Sequence, residues 1–234
     1  MNNFFLFILF FTPYNLNSYG NTTELIVWNV GQGQWVTYMD SNTCLHIDMG
    51  GEKAPINKVL RACHDKENQL LVTHADYDHI SFIRRYNYVV PNLCLLEKIK
   101  LPNHIKINLC TKSNDIYKKI SWTASRRFKL KRNDLSSVYR IKNVLIPGDS
   151  TKRQEKLWSR RVDYATKWLV LGHHGSNTST SKYVLDKYLG LKGTVASARL
   201  KKYKHPHKKV LGRLKRRGLP NISTEHWGNV HIIL

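Results

Sequence analysis

Leu70-Leu71-Val72-Thr73-His74-Ala75-Asp76-Tyr77-Asp78-His79 is the stretch on which the reading of this chain turns. Its first four residues are apolar or β-branched, and together with Gln69 they predict a buried strand over 69–73. The strand runs straight into a polar loop that carries two histidines and two aspartates within six residues. Imidazole and carboxylate are the ligands that hold zinc or manganese while leaving positions open for water. Alternation in an extended loop sends His74, Asp76 and Asp78 toward one side, and His79 turns in where a helix begins. The alternative is a solvated polar loop, and so dense a set of ligand-type residues directly after an apolar strand counts against it.

Upstream, residues 25–30, 35–39 and 44–48 are short β-rich runs separated by the turns Gly31-Gln32-Gly33 and Asp40-Ser41-Asn42. Residues 57–63 have helical spacing, with Val59, Leu60 and Cys63 on one side. Downstream, 84–132 holds short strands such as 105–110 and the basic stretch Arg126-Arg127-Phe128-Lys129-Leu130-Lys131-Arg132. Residues 137–141 and 144–146 read as strands around a tight turn, 151–160 as a polar helix and 168–171 as a buried strand. A helix over 178–189 closes at Gly190, and 194–198 is a further strand. The spacing then predicts a helix over 206–217, with Pro206 at its first position and Gly218 just past its end. Val210, Leu211 and Leu214 form its apolar face, while Lys208, Lys209, Arg213, Arg216 and Arg217 face elsewhere. Strands at 221–224 and 229–234 finish an α/β layered domain.

The 234 residues suit one domain with a substantial core, and the 41% hydrophobic and 23% charged composition excludes a disordered chain. Lys and Arg number 38 against 16 Asp and Glu, a net charge of +22. Such a field attracts polyanions; nucleic acid, DNA before RNA, is the expected partner, with an anionic membrane surface the alternative. Residues 1–20 carry no charged side chain and contain the apolar run Phe4–Phe11, followed by Ser18-Tyr19-Gly20. This reads as a signal peptide cut after Gly20, leaving 21–234 as a secreted or periplasmic domain. The run is too short to span a bilayer. An uncleaved anchor or a first buried strand are the other readings, because the opening Met1-Asn2-Asn3 lacks a basic residue. Cys44, Cys63, Cys94 and Cys110 form no C-x-x-C pair, which argues against a zinc ribbon. Two disulfides and buried free thiols both remain open.

The loop 74–79 resembles the His-x-Asp-x-Asp-His signature of the metallo-β-lactamase fold superfamily. Other motifs agree in the same order: Val30-Gly31-Gln32-Gly33, Asp48-Met49-Gly50-Gly51, Asn133 with Ser136-Ser137-Val138, Leu145-Ile146-Pro147-Gly148-Asp149, Leu171-Gly172-His173-His174-Gly175-Ser176 and His205-Pro206-His207. Together they are most similar to the hydrolase domain of the ComEC DNA-uptake proteins, over roughly 24–234 and without a membrane part. The resemblance implies a four-layer αβ/βα sandwich with two divalent metal ions, zinc or manganese, at one edge. It assigns His74 and Asp76 to the first ion, Asp78 and His79 to the second, and Asp149 as the bridge. One of His173 and His174 joins the second ion. Three departures stand out. Ser81-Phe82 replaces a usual Gly-Gly, Gln34 stands where Asp is common, and the third histidine of many relatives has no counterpart, His104 being a surface candidate.

For a phosphodiester the expectation is a metal-dependent nuclease, with Asp78 and His205 as catalytic residues. His205 would contact a non-bridging oxygen or protonate the leaving oxygen; a helix cap is its alternative role. Lys204, Lys208, Lys209, Arg213, Arg216, Arg217, Arg126 and Arg127 would track the DNA backbone without sequence choice. Trp158 and Trp168 could stack on bases, although packing is the more ordinary use. Hydrolysis of a small ester or lactone, and DNA binding without catalysis, are the competing functions.

Overall fold

Period-two alternation of apolar residues builds two sheets whose facing sides make one core and whose outer sides make two more. The structure is a computed structural model that describes residues 23–120, 131–161 and 165–234. The first strands in the chain are β1 (Glu24–Val27), β2 (Val36–Met39), β3 (Thr43–Ile47), β4 (Glu67–Leu71), β5 (Cys94–Leu95) and β6 (Asn108–Leu109). They are followed by β7 (Tyr117–Lys119), β8 (Tyr139–Ile141), β9 (Val144–Ile146), β10 (Trp168–Val170), β11 (Gly193–Ala196), β12 (Asn221–Ser223) and β13 (Val230–Ile233). One sheet has the order β13-β1-β2-β3-β4-β5-β6, and the other β12-β11-β10-β9-β8-β7. β13 to β3 pair antiparallel and β3 to β6 parallel. In the second sheet β12 to β9 are parallel, and β7 to β9 antiparallel.

Alternation decides which core each residue enters. Leu25 and Val27, Leu45 and Ile47, Val144 and Ile146, and Val170 and Val195 meet between the sheets. Their neighbours Ile26, Cys44 and Leu70 face outward to helices α1 (Ile56–Cys63), α2 (Tyr77–Ile80) and α3 (Ile83–Val89). Leu145, Leu169 and Ala196 face the opposite helical layer. That layer contains α4 (Lys152–Trp158), α5 (Lys182–Lys187) and α7 (Lys208–Arg216), with the short α6 (Leu200–Tyr203) after β11 and α8 (Thr224–Trp227) after β12. The result is the expected four-layer helix–sheet–sheet–helix sandwich. Among the described residues no helix is long and apolar enough to cross a membrane.

Several predicted boundaries move, each for a local reason. The helix expected from Pro206 starts at Lys208, because the His207 imidazole is its N-cap and accepts from the Lys209 N–H at 3.0 Å. The helix expected over 178–189 is confined to α5. The buried Glu155 carboxylate takes the N–H groups of Thr180 and Ser181 at 2.6 and 2.7 Å, and Thr180 has φ 50°. The strand expected over 105–110 survives only as β6, an edge strand paired with a two-residue neighbour. Trp158 is buried beneath the second helical layer and offers no stacking face, while Trp168 is half-buried and packs against the central core. The segment 1–20 read as a signal peptide lies outside the described residues, as do Arg126 and Arg127.

All four cysteines pair. Cys44–Cys63 ties β3 to α1, and Cys94–Cys110 ties β5 to the residue after β6. Each closes a loop of fewer than 20 residues, with separations of 19 and 16. Replacing Cys44 and Cys63 with serine is expected to remove about 3 kcal/mol of stability, the loop-closure scale for a link of this length. Urea unfolding in non-reducing buffer measures this, and an unchanged midpoint would refute it.

Candidate metal centre

Three chain segments leave the sheets at one edge and deliver the polar side chains. Beyond β4 the chain runs extended through His74 to Asp76, which occupies the N-cap position of α2, so Asp78 and His79 fall in that helix's first turn. Beyond β9, Pro147-Gly148 turns Asp149 inward. Beyond β10, a short turn holds His173 and His174 at φ 50° and 55°. Two successive non-glycine residues in the left-handed region are a strained arrangement that the surrounding structure must hold in place. It places both rings on the same carboxylate.

Asp149 is buried, and its two oxygens face different partners. Oδ1 lies 3.1 Å from His79 Nε2 and 3.8 Å from His174 Nε2, and His174 Nε2 lies 3.1 Å from Asp78 Oδ2. Oδ2 lies 3.3 Å from His173 Nε2 and 3.8 Å from His74 Nε2, and His74 Nε2 lies 3.5 Å from Asp76 Oδ2. Grouped by the nearer carboxylate oxygen, Asp78, His79 and His174 lie on one side and His74, Asp76 and His173 on the other, with His79 close to both: its donor atom lies within 4.8 Å of those of Asp78 and His174 and also of those of His74 and Asp149. The sequence left His173 and His174 undecided. His174 stands with Asp78 and His79, while His173 stands on the side where a third histidine had no counterpart.

Hydrogen bonds at the far ring nitrogens fix what the near ones present. His174 Nδ1 lies 3.0 Å from the Ser197 carbonyl, which only accepts, so Nδ1 carries the proton. His79 Nδ1 lies 2.7 Å from the carboxylate of Asp48 and donates in the same way. Thr73 Oγ1 donates to Asp48 at 2.8 Å and so accepts from His74 Nδ1 at 3.0 Å. In each neutral ring the lone pair is then on Nε2, aimed at the cluster. His74 Nε2, His79 Nε2 and Asp149 Oδ1 are buried without a hydrogen-bond partner. Lone pairs and carboxylate oxygens at this spacing repel each other unless a cation or proton lies between them. The same demand appears in the ionisation. Burial pulls His79 down, but Asp149 and Asp48 outweigh it and raise the ring well above its ordinary value. Burial opposes charge on Asp149, yet His79 and His174 hold it far below the usual carboxylate range. Asp78 is likewise opposed by burial and brought down to about 2 by His174 and His79. The donor set fits divalent cations, with imidazole and carboxylate ligands suited to zinc or manganese.

One supporting residue was in view in the sequence without a role. Asp48 follows β3 at φ 56°, has no exposed surface, and accepts from Gln34 Nε2, Thr73 N–H, Thr73 Oγ1 and His79. It fixes the His79 ring from behind. Gln34, a departure from the family pattern, thus serves Asp48. The Asp48-Met49-Gly50-Gly51 motif is the signal that could have found this: a Cβ on Gly50 would lie 2.3 Å from the carbonyl carbon of Asp78, so the loop can close only on glycine.

The other expected residues divide. Arg132 bonds Asp76 at 2.9 Å, and Asn133 approaches Asp149 at 3.4 Å. The ring of His205 is 6.3 Å from that of His173, beside the cluster but outside its donor groups. Lys204, Lys208, Lys209 and Arg216 are exposed, the last three along one groove of α7. Arg213 is instead engaged with the carbonyls of Ser179 and Thr180 and the side chain of Asn177. Arg217 bonds the Leu185 carbonyl. His104 lines a separate groove with Ser81, Arg84 and Tyr88 and has no part in the cluster. A cleft of about 690 Å³ opens at His74, lined by Thr73, Lys98, Lys100, Leu101 and Arg132 among others.

No family model matches the chain. Over 74 residues it is 36% identical to Recombination protein 2 of Haemophilus influenzae, covering 32% of this chain and 9% of that protein. Over 222 residues it is 26% identical to Competence protein ComA of Neisseria gonorrhoeae, covering 88% of this chain and 31% of that protein. The chain thus spans less than a third of the length of either curated relative. Among solved structures it is similar to the metallo-β-lactamase fold protein YhfI of Bacillus subtilis. That likeness has a TM-score of 0.59 at 10% identity and covers 90% of this chain and 99% of that one. Paired sheets between helical layers, with three strand ends converging on one carboxylate, are the metallo-β-lactamase fold, and this chain belongs among the proteins that adopt it.

Proposed function

We propose that the chain is a metal-dependent phosphodiesterase that cleaves DNA outside the cytoplasm. The observation that carries the reading is the place of Asp149 among the donors, its Oδ1 facing His79 and His174 and its Oδ2 facing His173 and His74. Asp78, His79 and His174 would hold one ion, His74, Asp76 and His173 the other, with Asp149 between them. Such ions supply an activated hydroxide at neutral pH and charge stabilisation for the phosphoryl oxygens.

The chain's own residues do the rest. Asp48 holds the His79 ring in the tautomer that ligates. Lys98, Lys100 and Arg132 bring positive charge to the cleft beside His74, where a phosphodiester backbone would lie. His205 stands where it could touch a non-bridging or leaving oxygen. Lys204, Lys208, Lys209 and Arg216 extend the positive surface for a polymer. The net charge of +22 favours a polyanion over a small neutral ester. Competence and recombination, for which the two curated relatives are named, are processes of DNA. Two disulfides accord with an oxidising compartment.

The reading predicts cleavage of labelled single- or double-stranded DNA with manganese or zinc, abolished by chelator and by Asp149→Ala. Cleavage should fall steeply as salt rises, because phosphate contacts release counterions. Binding without cleavage under every metal would contradict it. Asp48→Asn is expected to weaken zinc binding by about 10–100-fold, the usual cost of a lost carboxylate behind a ligating histidine. Competition with a chromophoric chelator measures this, and an unchanged affinity would remove Asp48 from the site.

A further inference from the structure

Gln32 sits in the turn between β1 and β2, far in sequence from the histidines yet buried against their loop, with 8% of its surface exposed. Its backbone N–H donates to Glu52 Oε2 at 3.1 Å. The same carboxylate takes Arg199 at 3.0 Å, Lys202 at 2.8 Å and the Tyr203 hydroxyl at 3.0 Å, so the turn and the α6 segment are clamped together. Across this clamp the backbone N–H of Arg199 points at Gln32 Oε1, 3.1 Å away.

That contact settles the orientation of the amide. A backbone N–H can only donate, so the atom facing it must be the amide oxygen. The other end of the amide is then NH₂, which can only donate in turn. It lies 3.1 Å from Nδ1 of His205. A neutral imidazole has one donor nitrogen and one acceptor. With Nδ1 accepting, the proton is on Nε2.

The ring's position is fixed as firmly as its proton. A Cβ on Gly175 would lie 2.7 Å from Pro206 Cβ, and the His207 N–H donates to the Gly175 carbonyl at 2.9 Å. The His205-Pro206-His207 loop therefore rests directly on the turn that carries His173 and His174. No described residue bonds His205 Nε2.

We propose that Gln32 is a positioning residue that locks His205 in its Nε2–H tautomer, so that the ring meets the substrate as a hydrogen-bond donor. A ring held this way suits a non-bridging or leaving oxygen of a phosphodiester and has no lone pair free to take a proton from water. What the donor meets rests on the phosphodiesterase reading; the tautomer does not.

The test is nitrogen NMR of the zinc-loaded chain labelled with ¹⁵N-histidine, at a pH where imidazole is neutral, with His205 assigned by its loss in His205→Asn. The expected spectrum has His205 protonated on Nε2 and bare on Nδ1. Gln32→Glu keeps the length of the side chain but offers His205 an accepting oxygen. It should move the proton to Nδ1 and lower kcat for DNA on the order of 100-fold, with zinc content and KM unchanged. A wild-type proton on Nδ1 overturns the proposal without any variant, as does a Gln32→Glu ring still protonated on Nε2 alone. A chain that cleaves no DNA defeats the phosphodiesterase reading instead, and the spectrum still decides the tautomer.

Discussion

The buried carboxylate of Asp48 gathers the loops of the site around itself. Isolated negative charge with no exposed surface is costly, and the structure meets the cost with hydrogen bonds from Gln34, from both donors of Thr73 and from His79. The three donor residues come from different structural neighbours: the turn before β2, the segment just past β4 and the first turn of α2. Satisfying one acid thus sets the path of the chain through His74 and Asp76, the direction of the His79 ring and the tautomer it presents. The close approach of Gly50 to the Asp78 backbone follows from the same closure.

The sandwich places the second half of the site with similar economy. Parallel pairing of β9 with β10 and of β10 with β11 brings their chain exits to one edge, so Asp149, the His173-His174 turn and Ser197 arrive side by side. Ser197 contributes twice. Its carbonyl orients His174, and its hydroxyl donates to the Gly33 carbonyl at 2.7 Å, linking this sheet to the turn that carries Gln32. The two sheets meet through apolar contacts over most of their area and through these polar ones at the functional edge.

Much of this was legible in the residues. The strand over 69–73 and the ligand loop that follows stand out because apolar alternation stops where ligand-type residues begin. The four layers and the convergence of residues 74–79, 149 and 173–174 agree with the resemblance of the motifs. What could not be read depends on contacts between distant residues. Nothing local tells that Glu155 will take the N–H groups that would have extended α5, or that His207 will cap α7 and leave Pro206 outside it. The cysteine pairing needed the packing of α1 on β3. The roles of Asp48 and Gln32 depend on which atom of a distant loop faces them, and the separation of His173 from His174 depends on two left-handed residues that composition does not announce.

The central claim is that Asp149 stands between two metal positions, each completed by its own histidines. Crystals of the chain grown with zinc and measured at the zinc absorption edge test this directly. The account predicts two anomalous peaks, one against Asp149 Oδ1 with Asp78, His79 and His174, the other against Oδ2 with His74, Asp76 and His173. A single peak, or a zinc ion bound without Asp149, would contradict it.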